Sequence, residues 1–157
     1  MSQSTTPRIA VGNDEAAVAL RTVVVEELTR RGWLVDTFGP TDRGDSVDYP
    51  DVAELVARKV ADGTYERAVL LCGTGIGMAI AANKVPGVRA AQVCDPYSAQ
   101  RARMSNDAQV MTMGERTTGP ELARTLLNIW LDSEFAGGGS AQKVAKLDAL
   151  DRHDRAA

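Results

Sequence analysis

Two rhythms of apolar residues alternate along the 157-residue chain. Short apolar runs at residues 8–12, 33–38, 68–71, 88–93 and 109–113 are bounded by Gly, Asn, Asp or Pro, and read as strands. Between them apolar residues recur every three or four positions, the signature of helices with one buried face. The first helix is capped by Asp14 and runs to about Arg31, with Ala17, Leu20, Val24 and Leu28 on one face. A second opens at Tyr49-Pro50-Asp51, and a third grows from a glycine-rich loop after Leu71. A fourth spans Asp95-Pro96-Tyr97 to about Met104, and a fifth Gly119-Pro120-Glu121 to about Glu134. After a hinge-like Gly137-Gly138-Gly139-Ser140, residues 141–150 form a last amphipathic helix. Five strands alternating with helices predict an α/β fold with a parallel sheet covered on both faces. The division expected is a disordered tail at 1–7, one domain at 8–150 and a charged tail at 151–157. The last helix has no evident place on its own domain and is expected to pack on a neighbouring subunit.

Chemistry concentrates in one stretch, Cys72-Gly73-Thr74-Gly75-Ile76-Gly77-Met78, between the third strand and its helix. Glycines free the loop to adopt unusual φ and let a ligand approach the backbone. Where such a loop enters a helix, unpaired N–H groups and the helix dipole favour negative charge. A thiol at that rim is a candidate base or nucleophile beside a nest for a developing oxyanion. A buried cysteine ending a strand before a tight turn would look the same.

Composition narrows the classes. A net charge of −3 and a pI near 5.2 give no nucleic-acid surface. No run approaches a membrane span, and residues 1–7 lack the apolar core of a signal peptide. Two cysteines, Cys72 and Cys94, make no disulfide framework, which points to a reducing cytoplasm. The single histidine, His153, lies in a charged tail and reads as solvated. One histidine leaves no His-rich zinc motif and makes a Ser-His-Asp or Cys-His site within one chain hard to build. The alternating glycines miss GxGxxG, although Asp95 stands where a ribose-binding acid would, and no GxxxxGK[ST] is present.

The stretch from Cys72 to Arg89, Cys-Gly-Thr-Gly-Ile-Gly-Met-Ala-Ile-Ala-Ala-Asn-Lys-Val-Pro-Gly-Val-Arg, resembles the signature of the ribose-5-phosphate isomerase B and galactose-6-phosphate isomerase family. Supporting matches are Asp48-Tyr49-Pro50-Asp51, Asp95-Pro96-Tyr97-Ser98-Ala99, Asn106-Asp107-Ala108 and Glu134-Phe135-Ala136-Gly137-Gly138. The resemblance implies a Rossmann-like, doubly wound five-stranded parallel sheet and a homodimer or tetramer with sites shared between subunits. It also implies aldose–ketose isomerisation through a cis-enediolate, with no metal and no cofactor. By this resemblance Cys72 is the base, and Gly73, Gly75, Ile76 and Gly77 form the anion hole. Thr74 and Asp14 would complete the catalytic set, while Asn13, Glu15, Tyr49, Ser105, Asn106 and Lys143 would bind substrate.

The departures are informative. Asp14-Glu15 stands where the family has Asp-His, Ser105-Asn106-Asp107 where it has His-Asn-Asp, and Gly138-Gly139-Ser140 with Lys143 where it has Gly-Gly-Arg-His and a further Arg. The ring-opening histidine and most phosphate-gripping cations of the pattern are therefore replaced, with Lys143, Arg43 or Arg103 as possible substitutes. The expected substrate is a sugar or sugar phosphate other than ribose 5-phosphate, a short acyclic ketose fitting best. Two other readings are a non-catalytic or partner-dependent subunit of a mixed oligomer and a small-ligand binding module. Retention of Cys72 with the full glycine loop argues against both.

Overall fold

The computed structural model describes residues 6–153, with side chains as far as Arg152. Most of the tail expected at 1–7, the side chain of His153 and the end of the charged tail lie outside the described residues.

Five parallel strands, β1 (Arg8–Asn13), β2 (Leu34–Phe38), β3 (Ala68–Cys72), β4 (Ala90–Gln92) and β5 (Val110–Gly114), form one sheet in the order β2-β1-β3-β5-β4. The helices are α1 (Val18–Arg30), α2 (Tyr49–Ala61), α3 (Ile76–Asn83), α4 (Pro96–Met104), α5 (Pro120–Asp132) and α6 (Gly139–His153). The pleat sorts neighbouring residues to opposite faces. Ile9, Val11, Val69, Leu71, Met111 and Met113 pack under α1, α4 and α5, against Leu20, Val24, Leu28, Leu126, Leu127 and Trp130. Ala10, Ala68, Leu70, Cys72 and Val110 face α2 and α3, against Val52, Val56, Met78 and Ala82. Strands buried on both faces read as unbroken apolar runs, and β3 and β5 are buried at every residue.

Strand β4 covers only Ala90–Gln92 of the run expected at 88–93, and three helix boundaries also differ from the sequence reading. The turn capped by Asp14 is a 3₁₀ turn over Glu15–Ala17, and the α-helix begins at Val18. Helix α5 stops at Asp132 because Glu134 is drawn off to pair with Arg67 at 2.7 Å. Helix α6 is longer than expected and lies against its own domain: Val144 is buried, Asp148 pairs with Arg89 at 2.7 Å, and Asp151 accepts the Gly87 N–H at 2.6 Å. It thus runs three residues into the stretch expected as a charged tail.

Helices α1 and α5 are tied by a half-buried polar contact at Glu27. Glu27 accepts from Arg30 and, at 2.7 Å, from the Asn128 amide of α5. These bonds, the one from Arg30 foremost, hold its carboxyl at about 2 against an ordinary value near 4.5. A depressed carboxylate stabilises the fold above its unfolded value and loses that contribution as pH falls toward its folded one. Thermal melts should therefore show wild-type stability dropping between about pH 4.5 and 2, and Glu27→Gln should start less stable at neutral pH and lack that component.

Candidate active site

The chain steps from β1 out to β2 and then back to β3 on the other side of β1. The carboxyl ends of β1 and β3 therefore flank the point where winding reverses, the place where open α/β sheets leave a crevice. Asn13 and Asp14 emerge from β1 and Cys72 from β3, and the Asp14 N–H donates to Leu71 O at 3.2 Å.

Cys72 is buried, and its Sγ accepts the Gly75 N–H at 3.1 Å. Gly75 caps α3 in the left-handed region at φ +78°, and a Cβ there would lie 2.8 Å from the Met113 backbone. Only glycine fits on both counts. The Gly75 carbonyl accepts from Thr112 Oγ1 at 2.7 Å, and Thr74 Oγ1 accepts the Ile76 N–H at 3.3 Å. Of the amides expected to form the anion hole, those of Gly75 and Ile76 are thus engaged inside the loop. Gly77 is the second residue of α3, where a helical N–H has no partner within the helix. The Tyr49 ring walls this position, since a Cβ on Gly77 would fall 2.5 Å from it.

Asp14 both caps and faces the site. Its carboxylate accepts the Ala16 N–H at 3.0 Å while only 8% of the residue is exposed. Burial pushes its pKa above the usual value; the Ala16 bond opposes this, Glu15 adds to it, and Arg116 opposes it. Glu15 itself turns to residues 46–47: bonds from its own N–H and that of Val47, with one from Ser46 Oγ, hold its carboxyl below the usual range. Asn13, expected to touch substrate, is fully buried, its amide donating to Asp14 O and Pro40 O. It acts on the site only through the segments it holds.

Arg116 was missed by the sequence reading. The turn after β5 is stitched to the glycine loop by Glu115 N–H to Cys72 O and Arg116 N–H to Gly73 O, both 3.0 Å. A Cβ on Gly73 would lie 3.2 Å from Arg116 Nη1, so the guanidinium covers the loop and also attracts the Asp14 carboxylate. The signal was available in Gly114-Glu115-Arg116, which leaves β5 as Cys72-Gly73 leaves β3. Arg43 also lies near, bonded to Glu115 and to Glu15 O and Ala16 O. Arg103 is no substitute. It is buried near the amino ends of the strands, paired with Asp107 at 3.1 Å and donating to Ala108 O.

Ser105, Asn106 and Lys143 are not brought to Cys72 within one chain. Ser105 and Asn106 precede β5, whose far end pairs with Cys72, so the length of a strand, about 3.3 Å per residue, separates them. Ser105 Oγ accepts from Arg101 at 2.8 Å, and Asn106 lines a groove of about 590 Å³ with Arg89, Leu147 and Asp148. Lys143 is exposed on α6, whose approach is fixed at the same end by Ala136 N–H to Met104 O.

A charge-assisted bond to an anion contributes about 1.5–3 kcal/mol, or roughly ten- to a hundredfold in an equilibrium. Arg116→Gln should raise KM for an anionic substrate by about that factor while melting near the wild-type temperature, because the side chain is exposed. Steady-state kinetics at low and high salt would check this, the wild type alone losing affinity steeply with salt.

The family profile described as Ribose/Galactose Isomerase matches residues 9–147. The D-erythrulose-4-phosphate isomerase of Pectobacterium atrosepticum is 49% identical over 147 residues, covering 94% of this chain and 97% of its own length. The Ribose-5-P isomerase B of Listeria innocua is 47% identical over 148 residues, with 94% and 99% covered. Among solved structures, the type B ribose 5-phosphate isomerase of Trypanosoma cruzi superimposes with a TM-score of 0.91 at 40% identity, covering 96% of this chain and 99% of that one. With the thiol, the glycine loop and the acid assembled at the switch point, the chain belongs to the ribose/galactose isomerase family and is an aldose–ketose isomerase of sugar phosphates.

Proposed function

We propose that the chain interconverts a four-carbon ketose phosphate, D-erythrulose 4-phosphate, with its aldose, in sites completed by a second copy of itself. The observation that carries this reading is the state of Glu15. The position beside Asp14 holds a carboxylate committed to Val47 and Ser46, and no group there is suited to opening a sugar ring. A tetrose phosphorylated on O4 has no free hydroxyl with which to close a five-membered ring. It arrives open and needs no such group, whereas ribose 5-phosphate arrives as a furanose. The similarity to the Pectobacterium atrosepticum enzyme supports the same choice.

In this mechanism Cys72 Sγ takes a proton from C1 of the ketose and returns it to C2. The electron pair passes through a cis-enediolate, whose oxygens face the Gly77 N–H and the amino end of α3. Asp14, whose pKa burial raises, relays the hydroxyl proton between O1 and O2. The Thr74 hydroxyl, whose oxygen already accepts a bond, is free to donate to a substrate hydroxyl. Arg116 holds the terminal phosphate as a charge-assisted partner. Two cysteines without a disulfide suit the reducing cytoplasm.

A second subunit is supported by two features. Asn106 and Lys143 lie at the opposite end of the sheet from Cys72, out of reach within one chain. Helix α3 leaves Ile76 and Ile80, one turn apart, 52% and 58% exposed beside the glycine loop. A two-fold pairing that covers these apolar residues would bring one chain's α3 toward the other's Asn106.

Three outcomes are expected. Cys72→Ala should abolish exchange of substrate carbon-bound hydrogen with heavy water and keep the wild-type circular dichroism; persistent exchange would remove the thiol from the role of base. The ratio kcat/KM for D-erythrulose 4-phosphate should exceed that for ribulose 5-phosphate by about a hundredfold, and comparable turnover of the two would return the chain to pentose chemistry. Mixing Cys72→Ala with Asn106→Ala, each inactive alone, should regain about a quarter of wild-type activity through hybrid dimers. No recovery after subunit exchange would place both groups' work within one chain.

A further inference from the structure

Residues 39–48 form a polar segment containing Gly39 and Gly44, the composition of a mobile loop, yet side chains from several elements fasten it. At its base, Pro40 O accepts from Asn13 at 2.9 Å and from Arg21 at 2.8 Å. In the middle, Arg43 binds Glu115, whose other carboxylate oxygen accepts the Leu20 N–H at 2.9 Å. At its end, Glu15 accepts from Ser46 Oγ at 3.3 Å and the Val47 N–H at 3.2 Å, and Val47 packs on the core under α2 and α3. Body carboxylates thus grip the strap, and a strap cation grips the body. The next residues are Asp48 and Tyr49, whose ring lies on Gly77.

We infer that Glu15 and the Arg43–Glu115 pair are the two clasps of a specificity strap, positioning residues that hold segment 41–48 beside Asp14 and confine the site to short anionic substrates. The inference rests on the isomerase reading above and deepens it. Two physical effects set the limit. The strap carries Asp42, Asp45 and Asp48, while its one cation is neutralised by Glu115. A phosphate reaching past Asp14 toward the strap meets excess negative charge, whereas one held on the Arg116 side does not. The latched strap also leads directly into Tyr49, whose ring walls the Gly77 side of the glycine loop.

The test uses the full-length enzyme and its Glu15→Ala and Arg43→Ala variants. Each is assayed with D-erythrulose 4-phosphate and with ribulose 5-phosphate alongside thermal melts, and the wild type and Glu15→Ala are also followed by trypsin cleavage after Arg43. The tetrulose-to-pentulose ratio of kcat/KM should fall about tenfold in both variants, mainly through a lower KM for the longer substrate. Trypsin should cut Glu15→Ala after Arg43 faster than wild type. A ratio unchanged within about twofold in whichever variant melts cooperatively overturns the strap. A general loss of kcat on both substrates overturns it as well, since that is the mark of mere structural damage. If wild type itself shows no preference for the shorter ketose, the substrate reading fails, and that result is separate from the comparison of variants.

Discussion

The site depends on one close passage of backbone over backbone. Where the loop after β3 crosses the end of β5, a Cβ on Gly114 would stand 2.3 Å from Thr74 Cα, and one on Gly75 would stand 2.8 Å from Met113. No side chain fits between them, so the two segments join by hydrogen bonds alone: Glu115 N–H to Cys72 O, Arg116 N–H to Gly73 O and Thr112 Oγ1 to Gly75 O. That seam aims the Gly75 N–H at the Cys72 sulfur, starts α3 in the left-handed region and lays Arg116 over the loop. Thiol, helix end and cation are therefore positioned by rigid strands rather than by a free loop, as preorganised charge stabilisation requires.

At the opposite end of the sheet the governing constraint is electrostatic. Arg67 is almost fully buried, donates to Leu131 O at 2.9 Å, stacks within 5.5 Å of the Trp130 ring and pairs with the exposed Glu134. A buried guanidinium left without partners would cost several kcal/mol, so the chain after α5 is drawn in to supply carbonyls and a carboxylate. This ends α5 early and directs residues 133–138 past Met104 into α6. Asp107, at φ +48°, sits in the same region with its carboxylate shared by Arg89 and Arg103. The resulting surface carries Asn106 and, on α6, Lys143. In a parallel sheet the two ends of a strand lie apart, so within one chain these residues stay away from Cys72.

Glu15 shows how a second carboxylate beside a buried acid is satisfied without disturbing the fold. It follows the acid that caps the first turn, is half-buried, and satisfies its carboxylate on the backbone and hydroxyl of a crossing segment. The same contacts that hold it below the usual carboxylate range also add negative charge beside Asp14, reinforcing the effect of burial there. The carboxylate beside Asp14 is thereby spent on ordering the segment that carries Ser46 and Val47.

Much was legible from the sequence because it is local. Apolar runs bounded by turn residues marked all five strands, and Cys72 with its three alternating glycines marked the tight loop after β3 through the backbone freedom that glycine alone allows. Asp14 was readable as a cap because a short acid before an apolar helical repeat has that use. What the tertiary structure decided was pairing between distant segments. The order β2-β1-β3-β5-β4 brings Arg116 over Gly73 although 43 positions separate them in sequence. The same order buries Asn13, commits Glu15 to Val47, and carries Ser105, Asn106 and Lys143 to the far end. Periodicity records which face of an element is buried, but which charged groups meet depends on crossovers whose geometry no local pattern encodes.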